Sequence, residues 1–274
     1  MPSAATQAMQ PAQLPSAAAF LDHLQAGGRA CFTTQEAVRA LSGSVIATRA
    51  ALRRLKANGR IADPFRGFHV IVPPEYRAVG CRPAEQFVPE LMAYIDVPYY
   101  AALLTAAAFH GAAHQAPMTF QVIVPTARRG IECGDVPVEF IARHDMHATP
   151  VVQRNTAMGV LLVASPEATA LELVGYPERC GYLDNVATVL SELAEVLDAE
   201  RLVAEAQRAP VAWVQRLGYL LAFVGAEDLA ASLETALAAR VKFVVALAPW
   251  TSMTGAPRDL RWAVAVNVKV EPDT

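Results

Sequence analysis

The chain has 274 residues, of which 54% are hydrophobic and 18% charged, and its net charge is −3. The longest uncharged apolar run, residues 97–109, is too short to cross a bilayer, and residues 1–15 lack the features of a signal peptide; these observations exclude a membrane-embedded protein and predict a soluble, cytoplasmic one. Residues 1–80 carry a net charge of +5 and the remainder −8, which indicates a nucleic-acid contact confined to the N-terminal part.

The N-terminal segment begins with a predicted disordered tail, residues 1–15, which is rich in Ala, Gln and Pro and shows no periodicity. Ser16 is placed to cap a first helix, and a short extended piece follows. The sequence from Thr33 to Glu36 forms a capping box, in which each side chain bonds the backbone amide of the other residue. It predicts the start of a second helix.

A tight turn and a third helix come next. Ser44 is a predicted N-cap, and the helix is expected to continue to about Ala57, where Asn58 and Gly59 stop it. Two extended segments, 60–62 and 68–72, fit the strands of a β-wing. Helix, strand, helix, turn, helix and wing is the order of a winged helix-turn-helix domain, which we predict over residues 16–77.

The third helix has two distinct faces at 100° per residue. Its predicted core stripe consists of Val45, Thr48, Leu52 and Leu55. The opposite side carries Ala47, Ala50, Arg53 and Arg54, with Arg49 at its flank. Small alanines allow the helix to approach a groove floor, while arginines reach base edges or phosphates.

The candidate DNA-binding residues follow from this geometry. The first turns of such a helix enter the major groove, so base readout is expected from Ser44, Ala47 and Arg49. Residues further along are expected to hold phosphates, and the wing to touch backbone or minor groove. These candidates are Arg53, Arg54 and Lys56 for phosphates and Arg66 and His69 on the wing. A basic helix face can also be merely solvated; the charge asymmetry, the turn and the wing together favour DNA.

The rest of the chain, residues 78–274, is predicted to form a larger mixed α/β domain, so the fold class is α+β. Ser165, Pro166 and Glu167 form a strong helix start. The predicted helices cover 84–94, a segment ending near Phe109, 166–174, 182–197, 199–207, 210–223 and 226–238. The predicted strands cover 120–124, 136–141, 149–153, 159–163, 241–246 and 262–270.

No motif in the sequence indicates a catalytic, cofactor or metal site. The four cysteines, Cys31, Cys81, Cys133 and Cys180, have no paired spacing, which predicts four reduced thiols. His110 and His114 have a spacing that could suit zinc, but no general-base glutamate lies between them. The phosphate-loop, dinucleotide and nucleophile-elbow patterns are absent. We therefore expect a protein that is not an enzyme and needs no cofactor.

Three stretches of the sequence resemble AbiEi-type antitoxins. They are RGFHVIVPPEY at 66–76, PYYAALLTAAAFHGAAHQ at 98–115 followed by FQV at 120–122, and the closing segment containing Arg261, Trp262 and Asn267. The second stretch is the most specific. The resemblance covers about residues 16–274, and one departure from it is His69, where a tyrosine is common.

The resemblance implies a type IV antitoxin with a winged-helix N-terminal domain and an antitoxin C-terminal domain. It implies repression of the protein's own operon through double-stranded operator DNA with inverted repeats, bound by a monomer that can cooperate on DNA. It also implies neutralisation of an AbiEii-type nucleotidyltransferase toxin, in phage defence by abortive infection. Whether the two proteins touch is left open by the resemblance.

Two other functions remain open at this point. The first is a stand-alone winged-helix regulator whose C-terminal domain senses a small ligand in an apolar pocket. The second is an enzyme with an unfamiliar site in residues 78–274. A toxin gene next to this one would favour the antitoxin over the stand-alone regulator.

Overall fold

The structure, a computed structural model, describes residues 16–112 and 117–272. The predicted disordered tail and His114 lie outside these residues. The helices are α1 Ala17–Ala26, α2 Thr34–Ala40, α3 Val45–Ala57, α4 Val88–Tyr94, α5 Leu103–Phe109, α6 Pro166–Gly175, α7 Tyr182–Leu193, α8 Ala199–Arg208, α9 Val211–Phe223 and α10 Glu227–Leu237. The strands are β1 Cys31–Thr33, β2 Ile61–Phe65, β3 Phe68–Ile71, β4 Tyr100–Ala101, β5 Phe120–Val124, β6 Ile131–Cys133, β7 Val136–Ala142, β8 Val151–Thr156, β9 Gly159–Ala164, β10 Val245–Ala246, β11 Arg258–Asp259 and β12 Val264–Ala265.

Together these helices and strands confirm the predicted α+β class. The chain forms two compact units. The first comprises residues up to Val97 together with 129–138 and 155–160, and the second comprises 98–128, 139–154 and 161–274. The first unit therefore contains the winged-helix segment and continues beyond it.

The first unit has helices α1 to α3 packed beside an antiparallel sheet in the order β1-β3-β2. Thr33 caps α2 through the predicted capping box, with both reciprocal hydrogen bonds present. The core is formed by apolar side chains from every element of this segment, which removes them from water and holds the elements together. Its members are Phe20, Leu21, Leu24, Phe32, Ala37, Leu41, Leu52, Leu55, Ile61 and Ile71.

A disulfide joins Cys81 to Cys133 within the first unit, with the two Cα atoms 5.7 Å apart. The prediction of four reduced thiols is wrong for this pair, whereas Cys31 and Cys180 are free and buried. The two partners are 52 residues apart in sequence. Local spacing could not reveal the bond because only the tertiary structure brings Cys133, at the end of β6, next to Cys81.

The second unit contains a sheet in the order β7-β5-β4-β9-β8, covered by helices. Strand β4 pairs antiparallel with β5 and parallel with β9. Helix α6 begins as predicted: the Ser165 hydroxyl accepts a hydrogen bond from the amide of Ala168, and Pro166 and Glu167 follow. A small separate sheet has the order β10-β12-β11.

Some element boundaries differ from those predicted. Helix α7 ends at Leu193 rather than near 197, because a 3-10 turn follows it. The two-residue strand β4 and the three-residue strand β6 were not predicted, since segments this short show no alternation of apolar and polar residues. In the wing, β2 extends to Phe65, which leaves a shorter connection than the predicted 63–67.

Candidate nucleic-acid interface

Helix α3 is held at both ends by the residues that the sequence indicates. The Ser44 hydroxyl oxygen accepts a hydrogen bond of 3.2 Å from the amide of Ala47, which satisfies one of the free donors of the first turn. Asn58 is the C-cap, and Gly59 follows with a φ of +62°, a conformation that glycine adopts without strain. The predicted span of this helix is therefore confirmed.

The buried stripe of α3 is formed by Thr48, Leu52 and Leu55, which are 2%, 4% and 7% exposed. Val45 was expected to join them, but it is 45% exposed, so that prediction is wrong. At 100° per residue Val45 lies about 50° from the centre of the buried stripe. It is also the first residue of the helix.

The opposite face of α3 is open and basic. Ser44, Ala47, Arg49, Arg53 and Arg54 are all exposed. Among the residues that the structure describes, none pairs with the guanidinium groups of Arg49, Arg53 or Arg54. Three positive charges are thus available on one exposed face, and small side chains lie between them.

Three other cations of the first unit have acidic partners. Arg29 pairs with Glu36 at 2.7 Å, and Arg60 pairs with Asp22 at 2.9 Å. The ammonium group of Lys56 lies 3.1 Å from Asp63. These three acids therefore offset Arg29, Arg60 and Lys56, the last residue but one of α3, and leave the three arginines of α3 uncompensated.

The wing turn consists of Arg66 and Gly67. The side chain of Arg66 is exposed, and Gly67 has a φ of +81°. The Tyr94 hydroxyl donates a hydrogen bond of 3.3 Å to the carbonyl of Arg66, and its ring lies 5.4 Å from that of Phe68. The amide of Thr34, at the start of α2, donates to the carbonyl of Gly67 at 2.9 Å. The wing tip is therefore fixed to both α2 and α4.

His69 does not lie with the exposed candidates, contrary to its expected role on the wing. It is 7% exposed, and its ring stacks on that of Phe32 at 5.0 Å. Its Nδ1 is 2.7 Å from the Asp63 carboxylate, and its Nε2 is 2.8 Å from the Thr34 hydroxyl. Because a carboxylate only accepts, Nδ1 donates to Asp63. The side chain points inward because His69 pairs with Phe32 of β1, and directly paired residues of neighbouring strands lie on the same face of the sheet, here the face of the core.

Asp63 links this buried histidine to the end of α3. Burial raises the pKa of the Asp63 carboxyl, but the hydrogen bonds from His69 and Lys56 lower it more, and the pKa lies below its usual value. The carboxylate therefore stays charged at neutral pH. It holds Lys56 beside the wing. Lys56 is therefore less available than the arginines of α3 to bind a phosphate group.

Two residues of this surface were not among the sequence candidates. Tyr94 supports the wing from a helix nearly 30 positions away, so no local pattern could indicate it. Ile46, next to the cap of α3, is 79% exposed. The sequence alone could have indicated that Ile46 is exposed, because its position on the helix is opposite the predicted core stripe.

The second unit contains a buried polar cluster around Glu172. One carboxylate oxygen accepts hydrogen bonds from the Tyr100 hydroxyl at 2.7 Å and from Arg143 at 2.9 Å. Arg143 also donates to Asp145 at 2.8 Å and lies over the ring of Trp213. Burial raises the pKa of Glu172 to about 7 despite these partners. The cluster ties strand β4 to helix α6.

His110, one of the two histidines considered for zinc, has other partners. The Nε2 of His110 lies 2.7 Å from the carbonyl of Ala164, and its Nδ1 lies 3.1 Å from Arg154. In residues 16–112 and 117–272, no three His, Cys, Asp or Glu side chains are grouped as a metal site requires. Within the same ranges, no helix has the length and apolar character needed to cross a membrane.

Residues 100–223 match the family model described as the AbiEi antitoxin C-terminal domain. The match includes nearly all of the most specific of the three stretches noted in the sequence and confirms that resemblance. The N-terminal winged-helix segment lies outside the matched residues. No curated protein matches the chain.

The solved structures that are similar to this chain include the following two. The RV2827C protein from Mycobacterium tuberculosis has a TM-score of 0.66 at 18% identity, covering 93% of this chain and 94% of its own. The likeness extends over nearly the whole chain and shows the fold alone. A nucleotidyltransferase-like protein from Paracoccidioides brasiliensis has a TM-score of 0.38 at 10% identity, covering 55% of this chain and 90% of its own. That score is too low to carry an argument.

Proposed function

Starting from the match of residues 100–223 to the AbiEi antitoxin C-terminal domain, we propose that the chain is the antitoxin and autorepressor of a type IV toxin–antitoxin operon. The first unit binds double-stranded operator DNA containing inverted repeats. The second unit carries most of the neutralising activity against an AbiEii-type nucleotidyltransferase toxin. The protein acts in the cytoplasm, in phage defence by abortive infection, and needs no catalytic site of its own.

The observation that carries the DNA-binding part is the set of uncompensated arginines on α3. Arg49, Arg53 and Arg54 are exposed and have no acidic partner among the described residues. Each phosphate contact by such a group releases condensed counterions and favours binding. Arg29, Lys56 and Arg60 differ from these three arginines, because acidic side chains already offset their charges.

The positions along α3 suggest different roles. Ser44, Ala47 and Arg49 lie on the first turns, which enter the major groove in a helix-turn-helix, and we assign them to base readout. Arg53 and Arg54 lie further along and are assigned to phosphates, with a smaller contribution from Lys56 because Asp63 already holds it. Arg66 on the wing turn is assigned to the DNA backbone, and the buried His69 is no longer included.

A salt-dependent anisotropy titration tests DNA binding. The full chain is titrated against the DNA immediately upstream of its gene and against a scrambled duplex of the same length. A specific repressor is expected to prefer the upstream fragment by roughly a thousandfold or more. Equal weak binding to both duplexes would contradict operator recognition. Absence of binding to either would contradict any DNA-binding role.

A co-expression experiment tests the antitoxin part separately. The toxin-family gene from the same operon is expressed with the wild-type chain or with a variant that combines Arg49→Ala, Arg53→Ala and Arg54→Ala. The variant is expected to rescue growth as the wild type does, while repression of an operator reporter is lost. A folded variant that loses rescue together with repression would contradict this division of roles between the units.

A further inference from the structure

Ile46 is the most exposed large apolar side chain on α3, at 79%. At 100° per residue, Ile46, Ala50 and Arg53 share one line along the helix, with Arg49 beside it. This line lies opposite the buried stripe of Thr48, Leu52 and Leu55. Ile46 therefore points outward at the centre of the face that carries the free arginines.

Neither helix propensity nor core packing accounts for this residue. Ile46 follows Val45, which is also largely exposed, so two β-branched side chains occupy the first turn. Such side chains lose rotamer freedom in a helix and are weaker helix formers than Ala or Arg. An exposed isoleucine gains nothing from burial in the free protein. A gain from burial requires a ligand that covers it.

We infer that Ile46 packs against the C5-methyl group of a thymine in the major groove of the operator. This inference rests on the proposed DNA-binding function. The first turn of a recognition helix approaches base edges, and the thymine methyl is the principal apolar group that the major groove offers. The flanking arginines bring the helix to the DNA, and Ile46 then distinguishes thymine from cytosine, which has no methyl at this position.

Uracil substitution tests the contact because it removes only the methyl group. Each thymine of the operator is replaced in turn by uracil, and the affinity of wild-type protein and of Ile46→Ala is measured. Burial of one methyl group contributes about 0.8 kcal/mol, so wild type is expected to lose about fourfold in affinity at the contacted thymine. Ile46→Ala is expected to bind thymine and uracil equally there. Because Ile46 is exposed, this variant is expected to melt as the wild type does.

Phe243→Ala is a matched control, since Phe243 is also 79% exposed but belongs to the second unit. It is expected to keep the wild-type uracil profile. Specific operator binding with the same uracil profile in wild type and Ile46→Ala would overturn the inference and leave the proposed function intact. Failure of the wild type to prefer its operator would overturn both the proposed function and the inference.

Discussion

Trp262 packs its indole ring against Gly218 of α9 so closely that a Cβ atom at position 218 would overlap the ring. Trp262 is 1% exposed and belongs to the segment that leads into β12. The side-chain amide Nε2 of Gln215, one turn before Gly218, donates to the backbone carbonyls of Trp262 and Ala263. These contacts attach the C-terminal sheet to the helix, and glycine is required because any side chain would occupy the space of the indole.

Gly218→Ala is expected to lower the free energy of unfolding by about 1–3 kcal/mol. This is opposite to the gain of about 1 kcal/mol that alanine gives over glycine in an unconstrained helix. Gly43→Ala is the control, because a Cβ there meets only ordinary van der Waals contact. Urea denaturation of both variants measures the effect. Equal stability of Gly218→Ala and wild type would contradict the packing described.

Reduction of the Cys81–Cys133 disulfide is expected to destabilise the protein. A crosslink that closes a loop of this length lowers the conformational entropy of the unfolded chain. This raises the free energy of unfolding by about 4 kcal/mol. The melting temperature is measured with and without a thiol-free reductant. A double variant, Cys81→Ser with Cys133→Ser, is expected to be less stable and insensitive to the reductant. Equal melting of the wild type under both conditions would show that the bond does not contribute.

The buried Glu172 is expected to make stability depend on pH. Burial raises its pKa from 4.5 to about 7, so between these values the folded protein binds more protons than the unfolded chain. The free energy of unfolding therefore decreases as the pH rises from about 4.5 to 7. Glu172→Gln is expected to remove this contribution, up to about 3 kcal/mol. The exposed Glu178→Gln is the control, and parallel pH profiles of all three proteins would contradict the role of Glu172.

Arg53→Ala and Arg54→Ala are each expected to weaken binding to every DNA sequence and to reduce the salt slope by about one unit. Arg49→Ala is expected instead to change base preference, because it lies nearer the groove floor. Arg77→Ala removes the same charge from an exposed position outside α3 and serves as the control. A change of base preference in Arg53→Ala without a change in salt slope would contradict the assigned roles.

His69→Leu is expected to affect folding rather than DNA contact. It leaves the Asp63 carboxylate and the Thr34 hydroxyl without their shared partner, at a cost of about 1–3 kcal/mol. The salt slope of DNA binding is expected to be unchanged at a temperature where the variant is folded. A stable variant with a reduced slope would return His69 to the DNA surface.

The sequence by itself determined the local elements of the first unit. Each of these features depends on residues within one or two helical turns of each other. They are the caps at Thr33 and Ser44, the end of α3 at Asn58 and Gly59, and the buried and exposed faces of α3. Such short-range chemistry can be recognised without knowing the fold. The antitoxin stretch between 98 and 115 was equally evident, and it lies mostly within the matched domain.

Only the tertiary structure decided which charged and polar side chains remain exposed and unpaired among the described residues, and so can contact a ligand. Arg29, Lys56 and Arg60 carry the same charge as Arg53 and Arg54, yet folding brings acids to the first three and none of the described acids to the other two. His69 is buried because its strand pairing places it on the same face of the sheet as the core residue Phe32. Cys81 and Cys133, 52 positions apart, form their bond for the same general reason: burial and pairing depend on how separate helices and strands pack together, which the local sequence pattern does not encode.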